Sequence, residues 1–378
     1  MRTQTSPSDD RVIPAPFNKE IRRFKLAINS GCPLRCEYCF LDKDAGEVLP
    51  LGLAKKALDL VLDSPGNRKK ILIYGGEPFL EFRLLQDVVS HSRIREQALG
   101  KTVSISVATS GIAIKREHLD WLKDRRVQLA VSLDGDRSSH DRFRRARNGT
   151  GTFDRIRANL DLIFSRLPAR NLIALLGVHP DNSKNFSANF ASIINLGFDA
   201  VNIEVIHGIP WSKTNVDDFK NNLLDVAAEI VQSVERKRFL FLESTYHEFD
   251  NTASLPQKRL CPAYSYLEVF PNGDYSFYPF PFIAGLPDRG RVRVGNAQDG
   301  FLPRYRDCAF DADSALCKNC IPGYYTIGEL CQGGAAYDLR ARVSAAIARE
   351  IHTRYRNTDN LKNYLKEISW RENSGFSQ

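Results

Sequence analysis

Residues 31–40 read Gly31-Cys32-Pro33-Leu34-Arg35-Cys36-Glu37-Tyr38-Cys39-Phe40. The cysteines have the spacing C-x3-C-x2-C, and they follow an apolar run, Arg23–Asn29, that reads as a β-strand. Three thiolates this close together suit three irons of a [4Fe–4S] cluster, because soft sulfur ligands favour Fe–S centres. The fourth iron then lacks a protein ligand, and an open position is what a catalytic cluster needs. Zinc is the competing reading. A structural zinc site takes a fourth Cys or His, commonly from paired C-x2-C elements, and no histidine lies near this loop.

Outward from the loop, residues 21–240 alternate short apolar runs with amphipathic stretches. Strands are expected at Arg23–Asn29, Ile71–Tyr74, Val103–Ala108, Val127–Leu133, Leu172–Val178 and Val201–Ile206. Between them, Ala54, Leu58, Val61 and Leu62 form a helical stripe that Pro65-Gly66 ends. Phe186, Phe190 and Ile194 form another, closed by Gly197, and Phe219, Leu223, Val226, Ile230 and Val234 a longer one. Six β–α alternations imply a parallel sheet with right-handed crossovers, either open or curled into a partial barrel. A polar cluster falls at the C-terminal end of each strand: the cysteine loop, Gly75-Gly76-Glu77-Pro78, Thr109-Ser110-Gly111, Ser132-Leu133-Asp134-Gly135, His179-Pro180-Asp181-Asn182, and Glu204 with His207. That is the face on which barrel and open-sheet enzymes assemble their sites. His179, Glu204 and His207 are therefore candidate catalytic residues. The plainer reading makes them lining or buried polar groups, Gly75-Gly76 an ordinary βα turn and Arg144 a surface arginine.

These motifs, in this order, resemble the radical S-adenosylmethionine (SAM) superfamily, in which the three-cysteine loop follows the first strand and encloses an aromatic, here Tyr38. The resemblance implies an α/β fold, a partial (β/α)6 barrel, with a [4Fe–4S] cluster whose unique iron is chelated by the amino and carboxylate groups of SAM. Gly75-Gly76-Glu77-Pro78 is similar to the family's G-G-E-P, whose backbone and glutamate receive the SAM amino group. Thr109-Ser110-Gly111 stands where many members carry T-N-G. Ser132 opens a match to S-L-D-G, whose serine contacts SAM. His140-Asp141 with Arg144, then Gly151-Thr152-Phe153, resembles the H-D-x-x-R…G-T-F stretch of the peptide- and protein-modifying branch. Arg144 is thereby the implied partner of the SAM carboxylate. An external one-electron donor of flavodoxin or ferredoxin type is implied as well.

After residue 240 the texture changes. Residues 264–293 are rich in Tyr, Phe, Pro and Gly, and Pro271-Asn272-Gly273-Asp274 reads as the turn of a β-hairpin. Cysteines return at Cys261, Cys308, Cys317, Cys320 and Cys331. Cys317-x2-Cys320 is a metal-site element, and four cysteines complete one zinc site or one closed cluster. The region resembles the SPASM subdomain and its shortened twitch form, which carry auxiliary [4Fe–4S] clusters. It departs from them at Tyr278 and Ala335, where cysteines are expected, and one auxiliary cluster is the better reading. Its ligands are then Cys317, Cys320 and Cys331 with Cys261 or Cys308.

The eight cysteines are clustered rather than spread as stabilising disulfides would be, as suits a cytosolic chain. No run is apolar enough to span a membrane and no secretory signal opens the chain. The net charge of +8 permits acidic partners, but the arginine-rich run 137–147 carries no nucleic-acid motif, and no nucleic-acid partner is expected. The expected organisation is a tail over 1–20, the barrel over 21–240, a cysteine-rich subdomain over 241–338 and a helical segment over 339–378. The expected function is generation of a 5′-deoxyadenosyl radical to modify a side chain of a peptide or protein. The alternatives are a radical dehydrogenase or rearrangement enzyme for a small sugar or aminocyclitol, and a zinc- or Fe–S-stabilised binding protein.

Overall fold

A computed structural model describes residues 20–206, 208–242, 266–276, 293–303 and 334–372. Residues 1–19, His207, Tyr278 and the five later cysteines, for which the sequence sets expectations, lie outside the described residues.

All six expected strands form: β1 (Arg23–Ala27), β2 (Arg68–Tyr74), β3 (Thr102–Thr109), β4 (Val127–Ser132), β5 (Leu172–Val178) and β6 (Ala200–Val205). The helices between them are α1 (Leu51–Asp63), α2 (Phe82–Leu99), α3 (Arg116–Asp124), α4 (Arg137–Phe143), α5 (Phe153–Arg166) and α6 (Phe186–Asn195), with α7 (Lys213–Glu235) after β6. Every neighbouring pair from β1 to β6 is parallel. β7 (Phe241–Leu242) adds to β6 in the same sense.

On each strand one face enters the core beneath the helices: Phe24 and Leu26, Ile71 and Ile73, Val201, Ile203 and Val205. Their neighbours Lys25, Leu72, Tyr74, Asn202 and Glu204 take the opposite face by strand alternation, and these are only half-buried. The sheet curls so that this second face lines a lumen. Lys25 on β1 and Glu204 on β6 interact electrostatically, although five strand spacings of a flat sheet would hold them roughly 24 Å apart. The fold is a partial (β/α)6 barrel.

The expected boundary at residue 240 is not a break in the sheet. β8 (Tyr266–Val269) pairs in parallel with β1 on its free edge, with Lys25 beside Glu268. The hairpin read from Pro271–Asp274 joins β8 to β9 (Asp274–Ser276), with Gly273 at φ +85 in its turn. β10 (Arg293–Asn296) and β11 (Gly300–Phe301) extend that antiparallel edge. The C-terminal segment is two helices rather than one, α8 (Gly334–Arg354) and α9 (Asp359–Glu372), separated at Asn357 with φ +63. No described helix is long and apolar enough to cross a membrane.

α9 covers the N-terminal ends of the strands. Arg371, almost wholly buried, donates to the Leu172 carbonyl at 3.3 Å and to Asp199 at 2.6 Å, and its guanidinium lies over Phe239. Gln128 donates back to the Arg371 carbonyl at 2.7 Å. Removing one partner of such a pair leaves the other uncompensated. Arg371→Ala is expected to cost about 3 kcal/mol, read as a lower urea midpoint at unchanged slope.

Candidate functional site

The cysteine loop leaves β1 and is tied down on both sides. On one side, the end of β2 is stitched to its entrance. Gly76 N–H donates to the Asn29 carbonyl and Glu77 N–H to the Gly31 carbonyl, both at 2.8 Å. The Asn29 amide donates to the Glu77 carbonyl at 3.0 Å. This approach leaves no room for a side chain: a Cβ on Gly76 would stand 2.2 Å from the Gly31 oxygen. Gly75, at φ +149, is in a backbone region reserved for glycine.

On the other side runs the stretch that follows α4. Arg35 N–H donates to the Arg145 carbonyl at 2.7 Å and Glu37 N–H to the Phe143 carbonyl at 2.9 Å, with Leu34 bridging Ala146. Arg147 Nε closes the loop on the Cys32 carbonyl at 2.9 Å. The arginine-rich run is thus the second rail of the loop. Its charges are balanced locally: Arg137 with Asp154, Arg142 with Glu37, Arg144 with Asp134 and Arg147 with Asp44.

Asp134, fully buried, is where the parts meet. One oxygen accepts from the Tyr38 hydroxyl and from Arg144 Nε at 2.9 Å. The other accepts from Gly177 N–H, at the end of β5, at 3.0 Å. The Arg144 guanidinium also lies 5.3 Å from the Tyr38 ring centre. Burial opposes the charge on Arg144, but Asp134 holds it firmly protonated. Neither Nη atom of Arg144 has a hydrogen-bond acceptor among the described residues, so the outer edge of the guanidinium is unclaimed. Ser132 is half-buried on the lumen face of the same strand end.

Glu77 does not stand as expected. It is fully buried, and its two oxygens take four donors: Thr109 Oγ1 at 2.8 Å, Phe79 N–H at 3.4 Å, Ser110 Oγ at 2.6 Å and Ser110 N–H at 3.0 Å. Every acceptor position is filled, so the carboxylate holds the ends of β2 and β3 together and is not offered to a ligand. Only the backbone of Gly75–Glu77 is left for that role. Thr109 and Ser110 have their function here too.

His179 is nearly buried, and its Nδ1 accepts the Asp181 N–H at 3.1 Å, capping the turn after β5. Its ring packs on Phe143 at 4.5 Å. Burial lowers its pKa. A capping nitrogen is spoken for, so this candidate reads as structural. Glu204 is half-buried in the lumen, with one oxygen taking the Asn202 amide at 2.7 Å.

The three cysteines are unpaired. Burial pushes the Cys32 thiol up to about 11 and raises Cys36, while Lys43, and Arg144 for Cys36, act in the opposite direction. Cationic neighbours of this kind suit an anionic thiolate cluster. A four-iron cluster takes each thiolate on a different iron. The residues present fit that group.

Residues 26–193 match the model of the Radical SAM superfamily. Over those residues the chain is similar to that superfamily. It is 27% identical over 146 residues to a cysteine-type anaerobic sulfatase-maturating enzyme of Clostridium novyi, an alignment covering 36% of this chain and 38% of the relative. The chain thus spans about two fifths of the length of that curated relative. Its fold is that of anSMEcpe solved with bound AdoMet, at TM-score 0.65 and 16% identity over 92% of this chain and 98% of that one. It is also similar to Streptococcus suis SuiB bound to precursor peptide SuiA, at TM-score 0.50 and 15% identity, covering 80% of this chain and 70% of that one.

The barrel contains a group whose titration its geometry explains. His140 is fully buried, with Nε2 3.1 Å from Thr152 Oγ1. The Thr152 hydroxyl hydrogen goes to the Arg144 carbonyl at 2.8 Å, so its oxygen accepts from His140 Nε2–H. Nδ1 then faces the Asp134 N–H at 3.4 Å and has no place for a second proton. Burial pushes His140 down to about 4. The unfolded chain, with histidine near 6.5, binds the extra proton first, so stability falls as pH drops from about 6.5 toward 4. The loss expected from this residue is about 3 kcal/mol. Urea unfolding at pH 7.5 and pH 4.5 should show that much less pH dependence in His140→Gln than in the unaltered chain.

Proposed function

We propose that the chain uses SAM as a radical source to modify a side chain of a peptide or protein, by oxidative cross-linking or a similar maturation. The observation that carries this reading is Arg144, clamped by Asp134 beside the cysteine loop with its outer edge unclaimed. The H-D-x-x-R…G-T-F stretch that supplies Arg144 resembles that of peptide-modifying members, and the sulfatase-maturating and SuiB similarities favour the same substrate class. Cys32, Cys36 and Cys39 would hold the cluster. Arg144 would take the SAM carboxylate, with Ser132 beside it, and backbone groups of Gly75–Glu77 the amino group. When bound, the cluster supplies one electron to SAM, whose cleavage gives a 5′-deoxyadenosyl radical that takes hydrogen from an unactivated carbon.

The remaining work belongs to the protein. Tyr38, fastened to Asp134, keeps the cysteine loop closed over the barrel mouth, and the two rails at Gly76 and Arg145 fix its height. Holding the reactants in one geometry and keeping water out is the main contribution a protein makes to such chemistry. An auxiliary cluster on Cys317, Cys320, Cys331 and one of Cys261 or Cys308 would take up the electron that an oxidative modification releases. An external flavodoxin- or ferredoxin-type protein, in a cytoplasmic setting, would supply the first electron.

Replacing Cys32, Cys36 and Cys39 together by Ala tests both halves. SAM cleavage with dithionite is expected to disappear, and the anaerobically reconstituted variant to keep ~4 irons per chain against ~8 before, one four-iron cluster per cysteine set. Zinc in place of iron in the variant would refute the auxiliary cluster. Undiminished SAM cleavage would refute the whole reading.

A further inference from the structure

The lumen has two unlike walls. Leu72 of β2, Ala108 of β3 and Ile173 and Leu175 of β5 line one side, half-buried and apolar. The other side, where β6 faces β1 and β8, is charged. Lys25 of β1 lies with its ammonium 5.3 Å from the centre of the Tyr266 ring and hydrogen-bonds the Tyr266 hydroxyl. Glu268 stands beside Lys25 in the register of the two strands. Leu267 and Val269 belong to the core, so Tyr266 and Glu268 take the lumen face between and beside them. The Tyr74 hydroxyl reaches across Ala27 from β2 and donates to one oxygen of Glu268.

Three observations show that this wall is incomplete by itself. Glu268 is only 1% exposed, yet its second oxygen has no hydrogen-bond partner among the described residues. A buried acceptor without a donor is costly, and few are left so without a reason. Glu204, on the facing strand, has one oxygen bonded to Asn202 and no partner for the other among the described residues. The charges do not balance either. Among the described residues, the charged groups acting on Glu268 are Lys25 and Glu204. Arg23, two residues down β1, is not among them. Among the described residues, two carboxylates therefore share one ammonium, and that ammonium is already engaged by Tyr266.

We propose that this wall, formed by Glu204, Glu268, Lys25, Tyr74 and Tyr266, is a substrate-anchoring subsite for a positively charged, donor-rich group, an amino or guanidino group of the substrate. A donor entering the lumen meets the second oxygen of Glu204. Glu268, set behind Tyr74 and Lys25, adds a second carboxyl; burial raises its pKa, and an entering cation would oppose that rise. The apolar wall opposite takes the methylene stem that leads to such a group, as the long stems of lysine and arginine require. The substrate's place beneath the cysteine loop rests on the function proposed above; the charge selectivity of the wall does not.

The test uses the full chain reconstituted anaerobically, titrated by calorimetry with n-butylguanidinium and with n-butyrate. Butylguanidinium is expected to bind at least tenfold more tightly than butyrate. Glu204→Gln and Glu268→Gln, each nearly isosteric, should each weaken butylguanidinium about tenfold, the loss typical of one charge-assisted contact. Glu204→Gln, at a half-exposed position, decides the matter alone if the buried substitution fails to fold. Equal binding of butyrate, or butylguanidinium affinity untouched by Glu204→Gln, overturns the proposal. So does a loss that falls on SAM affinity instead, which would make the wall part of the SAM site. Gly-Arg-Gly against Gly-Glu-Gly then separates the two readings. Binding of butylguanidinium without Gly-Arg-Gly upholds the subsite and sinks the peptide substrate; preference for Gly-Arg-Gly upholds both.

Discussion

Two oxygen atoms of Asp134 draw three distant parts of the chain to one point: Tyr38 from the cysteine loop, Arg144 from the stretch after α4, and the backbone of Gly177 at the end of β5. A carboxylate with no exposed surface has lost its hydration and must recover it from fixed donors. That requirement makes the arrangement all-or-none, because removing any one donor strands the charge. It also explains Gly177. A Cβ there would lie 2.8 Å from the Tyr38 hydroxyl and 2.9 Å from Asp134, so only glycine lets β5 come close enough to donate. The cysteine loop, which has no regular structure, inherits its position from this point and from its two rails.

The six strands were legible because each is a short apolar run ended by a polar cluster, and the helices between them show the 3.6-residue stripe. Less legible was where strands begin. β2 starts at Arg68, three residues before its apolar run, because Arg68, Lys69 and Lys70 pair with β3. Lys69 there donates to three oxygens, those of Ile21, Ser64 and Pro65, the first two buried. Charged residues hide such an extension from any reading of hydrophobic period. The parallel pairing of β8 with β1 was not legible at all, since nothing local distinguishes it from a strand paired only within its own hairpin.

Within the site, the cysteines, Arg144 and the glycine pair could be singled out by type and spacing. Asp134 was quoted as part of a motif but not as its centre, because a buried aspartate with three partners looks in sequence like any aspartate in a turn. Glu77 erred in the opposite sense. Its position suggested a ligand contact, whereas the donors at Thr109 and Ser110, some thirty residues on, consume its whole capacity. The charged wall of the lumen was half visible, through Glu204. Its partners Lys25 and Glu268 sit inside strands whose apolar character dominates the pattern, and only the curvature of the sheet brings them opposite Glu204.

Placing the chemistry at this mouth has a physical consequence for the whole molecule. The strand ends carry the polar groups, α9 closes the opposite end through Arg371, and the lumen between them is lined on one side by apolar and on the other by charged residues. The SAM contact proposed for Arg144 depends on Asp134 holding Arg144 and Tyr38 in place. The most direct measurement is the SAM affinity and iron content of Asp134→Asn beside the unaltered chain, both reconstituted anaerobically. An amide cannot accept from all three donors at once, so iron should be retained while SAM binding weakens about tenfold or more, the effect of one charge-assisted contact misplaced. SAM bound by Asp134→Asn as tightly as by the unaltered chain would contradict it.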